Sequence, residues 1–305
     1  MQTVTIPIRT HEDFGDSLSK LITIIAVINA VKDDRINLDF SEAKMLNPFF
    51  LGGLVCEIIR LQSLGKTFTL NHESNPDIHT YLKAIHFPTT FSVNEGKPLK
   101  ENSLERYSYK TYIPIISFKT GTDTSVSLAR EHILSAVSEV LKNQLRFSEN
   151  QRMPLSYFLD ELTNNINDHS GASNGYVFAQ YYPKSSYLDL CICDGGQGIF
   201  GSFSNHPDFA TKTEAEALLL AVTGGSTKDR PEARGFGVSS TRNMLVNGLK
   251  GQIFIWTGGV TFLQTVESQQ IADISSSAFF QGTYIAIRLP TLTPGDFNFY
   301  NYTDI

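Results

Sequence analysis

Little in this 305-residue sequence points to a membrane, an oxidising compartment or a zinc site. Its three cysteines, Cys56, Cys191 and Cys193, have no CxxC pair or histidine cluster beside them, so we expect buried, reduced thiols. The longest apolar run, residues 21–31, is too short to cross a bilayer, and residues 1–20 lack the pattern of a signal peptide. We therefore expect a cytoplasmic protein with no membrane partner.

Positive charge is also scarce. Lys and Arg total 25 against 31 Asp and Glu, which gives a net charge of −6 and no clear signal for nucleic-acid binding. Hydrophobic residues make up 41% of the chain and charged residues 18%, the composition of an ordinary globular protein. The length allows two domains at roughly 150 residues each.

Residues 1–95 alternate strand-like and helix-like segments, an order that predicts an α/β unit. A polar stretch of mixed charge, residues 96–111, is interpreted as a linker. A second unit is expected over residues 112–291, followed by an aromatic tail at 292–305. The tail is a place where another chain would dock, or it covers its own domain.

Within the first unit, the stretch INLDFSEAKMLNPFFLGGLVCEIIRLQSLGKTFTL (36–70) resembles the STAS domain of anti-sigma-factor antagonists. In that fold a buried strand leads through a short loop into a helix, and phosphorylatable members carry an Asp-Ser-Ser-Gly type sequence in the loop. Asn47-Pro48-Phe49-Phe50 stands there instead, without a hydroxyl group. The resemblance implies a degenerate STAS-like domain that binds a partner or its own neighbour.

The stretch LDELTNNINDHS (159–170) reads as a helix with an unusual polar arc. Leu155, Leu159, Leu162 and Ile166 share one narrow stripe at helical spacing and should face the core. Asn and Asp are mediocre helix formers, because their side chains compete for backbone hydrogen bonds. A solvated face and a ligand site therefore both remain open for the polar arc, which consists of Glu161, Asn164, Asn165, Asp168 and His169.

Two glycine-rich segments follow this helix. Asp194 ends a strand-like run and precedes Gly-Gly-Gln-Gly, a sequence that makes either a plain turn or a tight loop that leaves space for a ligand. Gly235 and Gly237 come just before a helical stretch, where they either start the helix or expose backbone N–H groups to a phosphate. Each signal is weak when it stands alone.

In their order along the chain, these segments resemble the ATPase domain shared by DNA gyrase, histidine kinases, heat-shock chaperones and mismatch-repair proteins. The N box is matched by ELTNNINDHS, the G1 box by DGGQG and the G2 box by GFG, and Gly282-Thr283 fits the late GT. The resemblance implies an α+β chain: a STAS-like α/β domain followed by a two-layer α/β sandwich of the Bergerat type with a mixed sheet. Ile166 departs from the small residue usual after the N-box Asn.

The same resemblance implies ATP and Mg²⁺ as cofactors. Asn165 would ligate Mg²⁺, and Glu161 would orient or deprotonate the attacking nucleophile. Asp194 would accept a hydrogen bond from the adenine amino group, and Thr283 would support it. The other implied binding residues are Gly196 and Gly198 at the base, Gly235, Gly237, Val238 and Ser239 at the phosphates, Lys228 and Arg234 on a mobile lid, and Asn164, Asp168 and His169 as supporting groups.

Three functions remain open for such a site. The first is an ATP-hydrolysing conformational switch that controls a protein partner, and the absence of an acceptor at residues 47–50 favours it. The second is a serine/threonine protein kinase of the anti-sigma-factor type, which His169 in the N box resembles. The third is a non-catalytic nucleotide-sensing scaffold. The partner is not identified by the sequence; a protein encoded nearby and a second copy of the chain are both candidates.

Overall fold

The described residues of the computed structural model form two β-sheets. One is a three-stranded parallel sheet, and the other is an eight-stranded sheet in which every neighbouring pair except one is antiparallel. The α+β class predicted from the sequence is therefore confirmed. The structure describes residues 1–7, 13–92, 104, 106–145, 149–204, 213–225, 237–292 and 294–302.

The N-terminal unit alternates strands with helices, and its three strands pair in parallel in the order β1-β2-β3. The side chains of Asn47 and Asn75 cap α2 and α3 by accepting backbone N–H groups, and a proline follows each of them. The elements are β1 (Gln2–Thr5), α1 (Phe14–Ala30), β2 (Arg35–Asp39), α2 (Pro48–Ser63), β3 (Thr67–Asn71) and α3 (Pro76–Ala84).

The eight-stranded sheet has the order β10-β9-β8-β11-β7-β6-β5-β4. Its strands are β4 (Phe91–Ser92), β5 (Ile116–Lys119), β6 (Asn174–Tyr182), β7 (Tyr187–Asp194), β8 (Gln252–Gly258), β9 (Val260–Gln264), β10 (Gln269–Asp273) and β11 (Phe280–Pro290). The helices of this unit are α4 (Thr124–Leu145), α5 (Glu149–His169), α6 (Gly198–Ser204), α7 (Glu214–Val222) and α8 (Val238–Asn243). Helix α8 runs directly into a π-helical turn, Met244–Gly248.

One face of this sheet packs on α4 and α5. The predicted stripe of α5, Leu155, Leu159, Leu162 and Ile166, is buried in the same core cluster as the even-numbered residues 188, 190 and 192 of β7. The alternation of side chains along a strand places these residues on one face of the sheet. The interpretation of α5 as a core-facing helix is therefore confirmed.

The opposite face of the sheet is covered by the N-terminal unit. Cys191 and Cys193 of β7 belong to the same core cluster as the buried residues of α1 and α2. The Tyr284 hydroxyl donates a hydrogen bond to the Phe49 carbonyl over 2.9 Å, and the Cys193 Sγ lies 3.5 Å from the Gly52 carbonyl oxygen. The N-terminal unit thus adds a further layer to the predicted two-layer sandwich.

A buried ion pair lies within this contact between the two units. Arg288 donates to both carboxyl oxygens of Asp189, at 2.7 and 2.8 Å. Burial raises the pKa of Asp189 to about 6, although the Arg288 guanidinium acts in the opposite direction. The guanidinium also lies over the rings of Phe14, Phe49 and Tyr187.

Several features were not predicted from the sequence. The sequence predicted no strand at β9 or β10 and no helix at the short α6. β4 adds residues 91–92, which were expected in the first unit, to the second sheet. Leu104 and Tyr107, inside the predicted linker, are buried against the second core. All three cysteines are free and buried, as predicted. Among the described residues, no helix is long and apolar enough to span a membrane.

Candidate functional site

Helix α5 presents the predicted polar arc beside its buried stripe. Glu161 and Asn165 lie one helical turn apart and are both partly exposed. The Asn165 Nδ2 atom is itself buried and has no hydrogen-bond partner among the described residues. Such an atom costs free energy unless a ligand or water satisfies it. Asn165 is therefore the member of the arc that most directly indicates a binding site.

Gly237 lies directly against Asn165. A Cβ atom added at Gly237 would stand 3.2 Å from Asn165 Nδ2 and 3.4 Å from Oδ1. The backbone at Gly237 has φ +54° and ψ −116°, a conformation that side-chain-bearing residues rarely adopt. Val238 and Ser239 follow as the first residues of α8, where backbone N–H groups have no partner within the helix. The turn before α8 thus brings backbone N–H groups that have no partner within the helix to the polar arc of α5.

Asp194 ends β7 in the middle of the sheet. It pairs in register with Thr283 of β11 and is only 1% exposed. Its Oδ1 accepts a hydrogen bond of 2.8 Å from the backbone N–H of Gly196. Burial raises the pKa of Asp194 to about 7, while hydrogen bonds from the backbone N–H groups of Gly196 and Thr283 act in the opposite direction. Near neutral pH the carboxyl group is therefore poised between its two protonation states.

Three glycines let the backbone close tightly around Asp194. A Cβ atom at Gly196 would lie 2.1 Å from the Ser170 carbonyl oxygen, and one at Gly282 would lie 2.1 Å from the Asp194 carbonyl oxygen. At Gly198, where φ is +72°, a Cβ atom would lie 2.7 Å from Thr257 Oγ1. These are backbone or core contacts that cannot move aside easily, so the segments fit together only with glycine.

The Gly-Gly-Gln-Gly turn is also tied to the end of α5. The Gln197 backbone N–H donates to the Ser170 carbonyl over 2.8 Å, and its side-chain Nε2 donates to the His169 carbonyl over 2.7 Å. On β11, Gln281 Nε2 donates to the Gly196 carbonyl over 2.5 Å. Segments that are far apart in sequence therefore meet at one end of α5.

The remaining predicted residues have different placements. Asn164 is partly exposed, and Asp168 is exposed with its Oδ1 accepting from Asn167 Nδ2 over 3.0 Å. His169 is the last residue of α5, and its carbonyl takes part in the contact with Gln197. Lys228, Arg234 and Gly235 lie outside the described residues.

Sequence reasoning missed several residues that shape this site. Thr257 Oγ1 accepts a hydrogen bond of 3.0 Å from the Ile199 N–H. The hydroxyl groups of Tyr157 and Ser240 form a hydrogen bond, with their oxygens 2.6 Å apart. Gln197 and Gln281 contribute the contacts described above. The position of Tyr157 one turn before Glu161 was the only available signal, and helical spacing alone does not show what a hydroxyl contacts.

The side chains of this site fit a magnesium ion only if a bound ligand supplies most of the oxygen atoms that coordinate it. No group of three or more His, Cys, Asp or Glu side chains within the described ranges would hold a metal. Asn165 offers one amide oxygen, and Mg²⁺ commonly takes one or two protein ligands together with water and substrate phosphates. The residues present therefore suit a metal that arrives with a phosphate-bearing ligand.

Comparison with known proteins adds no relative to this geometry. The sequence matches no known family profile, and it matches no curated protein sequence at a significant level.

Proposed function

We propose that the protein binds Mg-ATP where α5, the end of β7, the start of α8 and β11 meet. The observation that carries this proposal is the contact of Asn165 with Gly237, together with the enclosure of Asp194 by Gly196 and Thr283. These residues belong to the four segments whose order resembles the N, G1 and G2 boxes and the late GT of the gyrase and kinase ATPases. The polar arc meets two of the other segments, through Asn165 at Gly237 and the His169 carbonyl at Gln197, and the third, at Thr283, pairs with Asp194.

In this proposal each group has one role. Asp194 accepts a hydrogen bond from the adenine amino group. Gly237 and the N–H groups of Val238 and Ser239 contact the phosphates at the start of a helix. Asn165 provides a ligand for Mg²⁺. Glu161, one turn before Asn165, orients or deprotonates the attacking nucleophile.

We infer further that the output is conformational: an ATP-hydrolysing switch that controls a protein partner. Residues 47–50 offer no hydroxyl group and are buried, with the Phe49 carbonyl engaged by Tyr284. The STAS-like unit therefore does not present this segment, the start of α2, for phosphorylation. Its contact with β7 and β11 lies next to Asp194 and Thr283, which supports transmission of the nucleotide state to this unit. A cytoplasmic location fits the buried free thiols.

The role of Glu161 is tested by incubating the protein with γ-labelled ATP, with and without candidate partner proteins, and measuring where the label goes. We expect free phosphate from the wild-type protein and a loss of roughly 10²- to 10⁴-fold in Glu161→Gln, the usual range for removing a general base. Asp160→Asn, an exposed neighbour on the same helix, is the matched control and should retain activity. Label transferred to a partner would indicate the kinase alternative, and binding with neither outcome would leave the scaffold.

The affinity for the nucleotide should depend on pH through Asp194. The pKa of its carboxyl group is about 7 in the free protein, and a hydrogen bond from the adenine amino group favours the ionised form. Binding therefore lowers this pKa and releases a proton, so affinity falls as pH drops below 7, by up to about tenfold per pH unit.

Calorimetry of nucleotide binding between pH 6 and 8 measures this dependence. Adenosine should be compared with Mg-ATP, because the phosphates of ATP also titrate and adenosine has none. The adenosine profile should rise with pH in the wild-type protein and be flat in Asp194→Asn. A wild-type profile that is flat for adenosine would contradict the role given to Asp194.

A further inference from the structure

Tyr157 links the helix of the polar arc to the glycine turn before α8. Its hydroxyl oxygen lies 2.6 Å from Ser240 Oγ, and Ser240 Oγ in turn donates to the Gly237 carbonyl over 3.3 Å. Ser240 is only 6% exposed, so this pair of hydroxyls is largely shielded from water. Gly237 is the residue that lies against Asn165. The hydroxyl pair therefore connects two turns of α5, at Tyr157 and Asn165, through the backbone of Gly237.

The ring of Tyr157 is held from the other side by the C-terminal segment. Phe299 meets it edge to face, with ring centroids 5.9 Å apart and an interplanar angle of 81°. In the same segment Phe297 and Tyr302 stack at 5.7 Å, and both rings lie close to Gly248, where a Cβ atom would stand 2.9 and 3.0 Å away. Residues 297–302 thus pack on α5 and on the π-helical turn that continues α8.

We propose that Tyr157 is a positioning residue for the phosphate end of the site and that the C-terminal segment fixes it in place. This inference rests on the proposed Mg-ATP function and assigns to it a residue outside the four segments that carry the family resemblance. The Tyr157–Ser240 pair holds the Gly237 carbonyl in one orientation, which sets the direction of the N–H groups that follow it. Because Asp194 and the base pocket lie at the other end of α5, Tyr157 acts on phosphate binding and leaves recognition of the base unchanged.

The test compares Mg-ATP and adenosine binding in Tyr157→Phe, which removes the hydroxyl and keeps the ring on Phe299. We expect affinity for Mg-ATP to fall about fivefold, the usual effect of one lost hydrogen bond, with adenosine affinity unchanged. Ser240→Ala should give an equal or larger selective loss, because it also removes the hydrogen bond to the Gly237 carbonyl. Adding Tyr157→Phe to Ser240→Ala should change little, because the contact between the two hydroxyls is already broken. Tyr109→Phe, at a 95% exposed tyrosine, is the matched control.

Each result decides the inference. A loss of affinity for Mg-ATP and adenosine alike would show a general structural role and overturn it, as would unchanged Mg-ATP affinity in Tyr157→Phe. Additive losses in the double variant would show that the two hydroxyls act separately, which also contradicts the proposal. A wild-type protein that binds neither ligand would instead overturn the proposed function, so the two failures are distinguishable. Phe299→Ala, which spares the hydroxyl, should give a smaller loss of the same phosphate-dependent kind.

Discussion

Gly52→Leu is expected to lower the free energy of unfolding by about 3 kcal/mol or more, which places it among the severe core substitutions. Gly52 is a buried residue of α2 at the contact between the N-terminal unit and the sheet. A Cβ atom there would lie 2.5 Å from the Cys191 Sγ and 3.1 Å from the Cys191 Cβ. A leucine side chain would have to displace α2 from β7, and the neighbouring residues Leu21 and Tyr284 pack just as closely on Gly53.

The smaller substitution Gly52→Ala distinguishes the close contact with Cys191 from helix propensity, because the two predict opposite changes in the free energy of unfolding. Alanine is better than glycine inside a helix by about 1 kcal/mol, so propensity alone predicts stabilisation. The close approach to Cys191 predicts destabilisation instead, by about 1–3 kcal/mol. Gly15→Ala in α1 is the matched control, because its Cβ would meet only Asp13 Oδ1 at 3.9 Å, and it should be neutral or stabilising.

Urea denaturation of these variants measures both effects. If Gly52→Ala is as stable as Gly15→Ala, then α2 does not pack on β7 as the structure has it. The result also bears on function, because Cys193 on the same strand contacts the Gly52 carbonyl and immediately precedes Asp194. A variant that loosens this contact and still folds should bind adenine less tightly.

Asn165→Ala is expected to weaken Mg-ATP binding by roughly 100-fold. Removing a group that only hydrogen-bonds to a metal ligand costs about 10- to 100-fold, and Asn165 is proposed to bind the metal itself. The same variant should not lose stability through hydrogen bonding, since the buried Nδ2 atom has no partner among the described residues. The combination of lost affinity and retained stability is what distinguishes a ligand-binding residue from a structural one.

The metal dependence provides the internal control for Asn165. Binding of adenosine, which carries no phosphates for a metal to bridge, should be the same in Asn165→Ala and the wild-type protein. Asn165→Asp keeps an oxygen ligand for Mg²⁺ and should retain more Mg-ATP affinity than Asn165→Ala. Equal losses for adenosine and Mg-ATP would mean that Asn165 does not act through the metal.

The parts of the fold that follow local rules are readable from the sequence. The α5 stripe, with Leu155 and Ile166 at its ends, is a helical pattern that the buried core confirms. Asn47 and Asn75, each followed by proline, mark helix starts in the same way. For the candidate site, the sequence singled out Asn165 and Gly237, and Asp194 and Thr283, and each of these pairs lies together in the structure.

Other features depend on long-range contacts that spacing does not encode. Leu190 and Cys191 alternate between two buried faces of β7, and this doubly apolar strand was the available signal that a second layer covers the sheet. Nothing in the sequence shows that the covering layer is α2. Likewise the meeting of Tyr157 with Ser240, 83 residues further along the chain, follows from the tertiary fold alone.

Equilibrium titration by calorimetry measures whether Mg-ATP binds at the meeting point of α5, β7, α8 and β11. Wild-type protein, Asp194→Asn and Asn165→Ala should be titrated with Mg-ATP under the same conditions, after circular dichroism has shown that all three are folded. We expect one saturable site per chain in the wild-type protein, with affinity lower by roughly 10-fold in Asp194→Asn and by roughly 100-fold in Asn165→Ala. No binding by the wild-type protein, or equal affinity in all three, would contradict the proposed function.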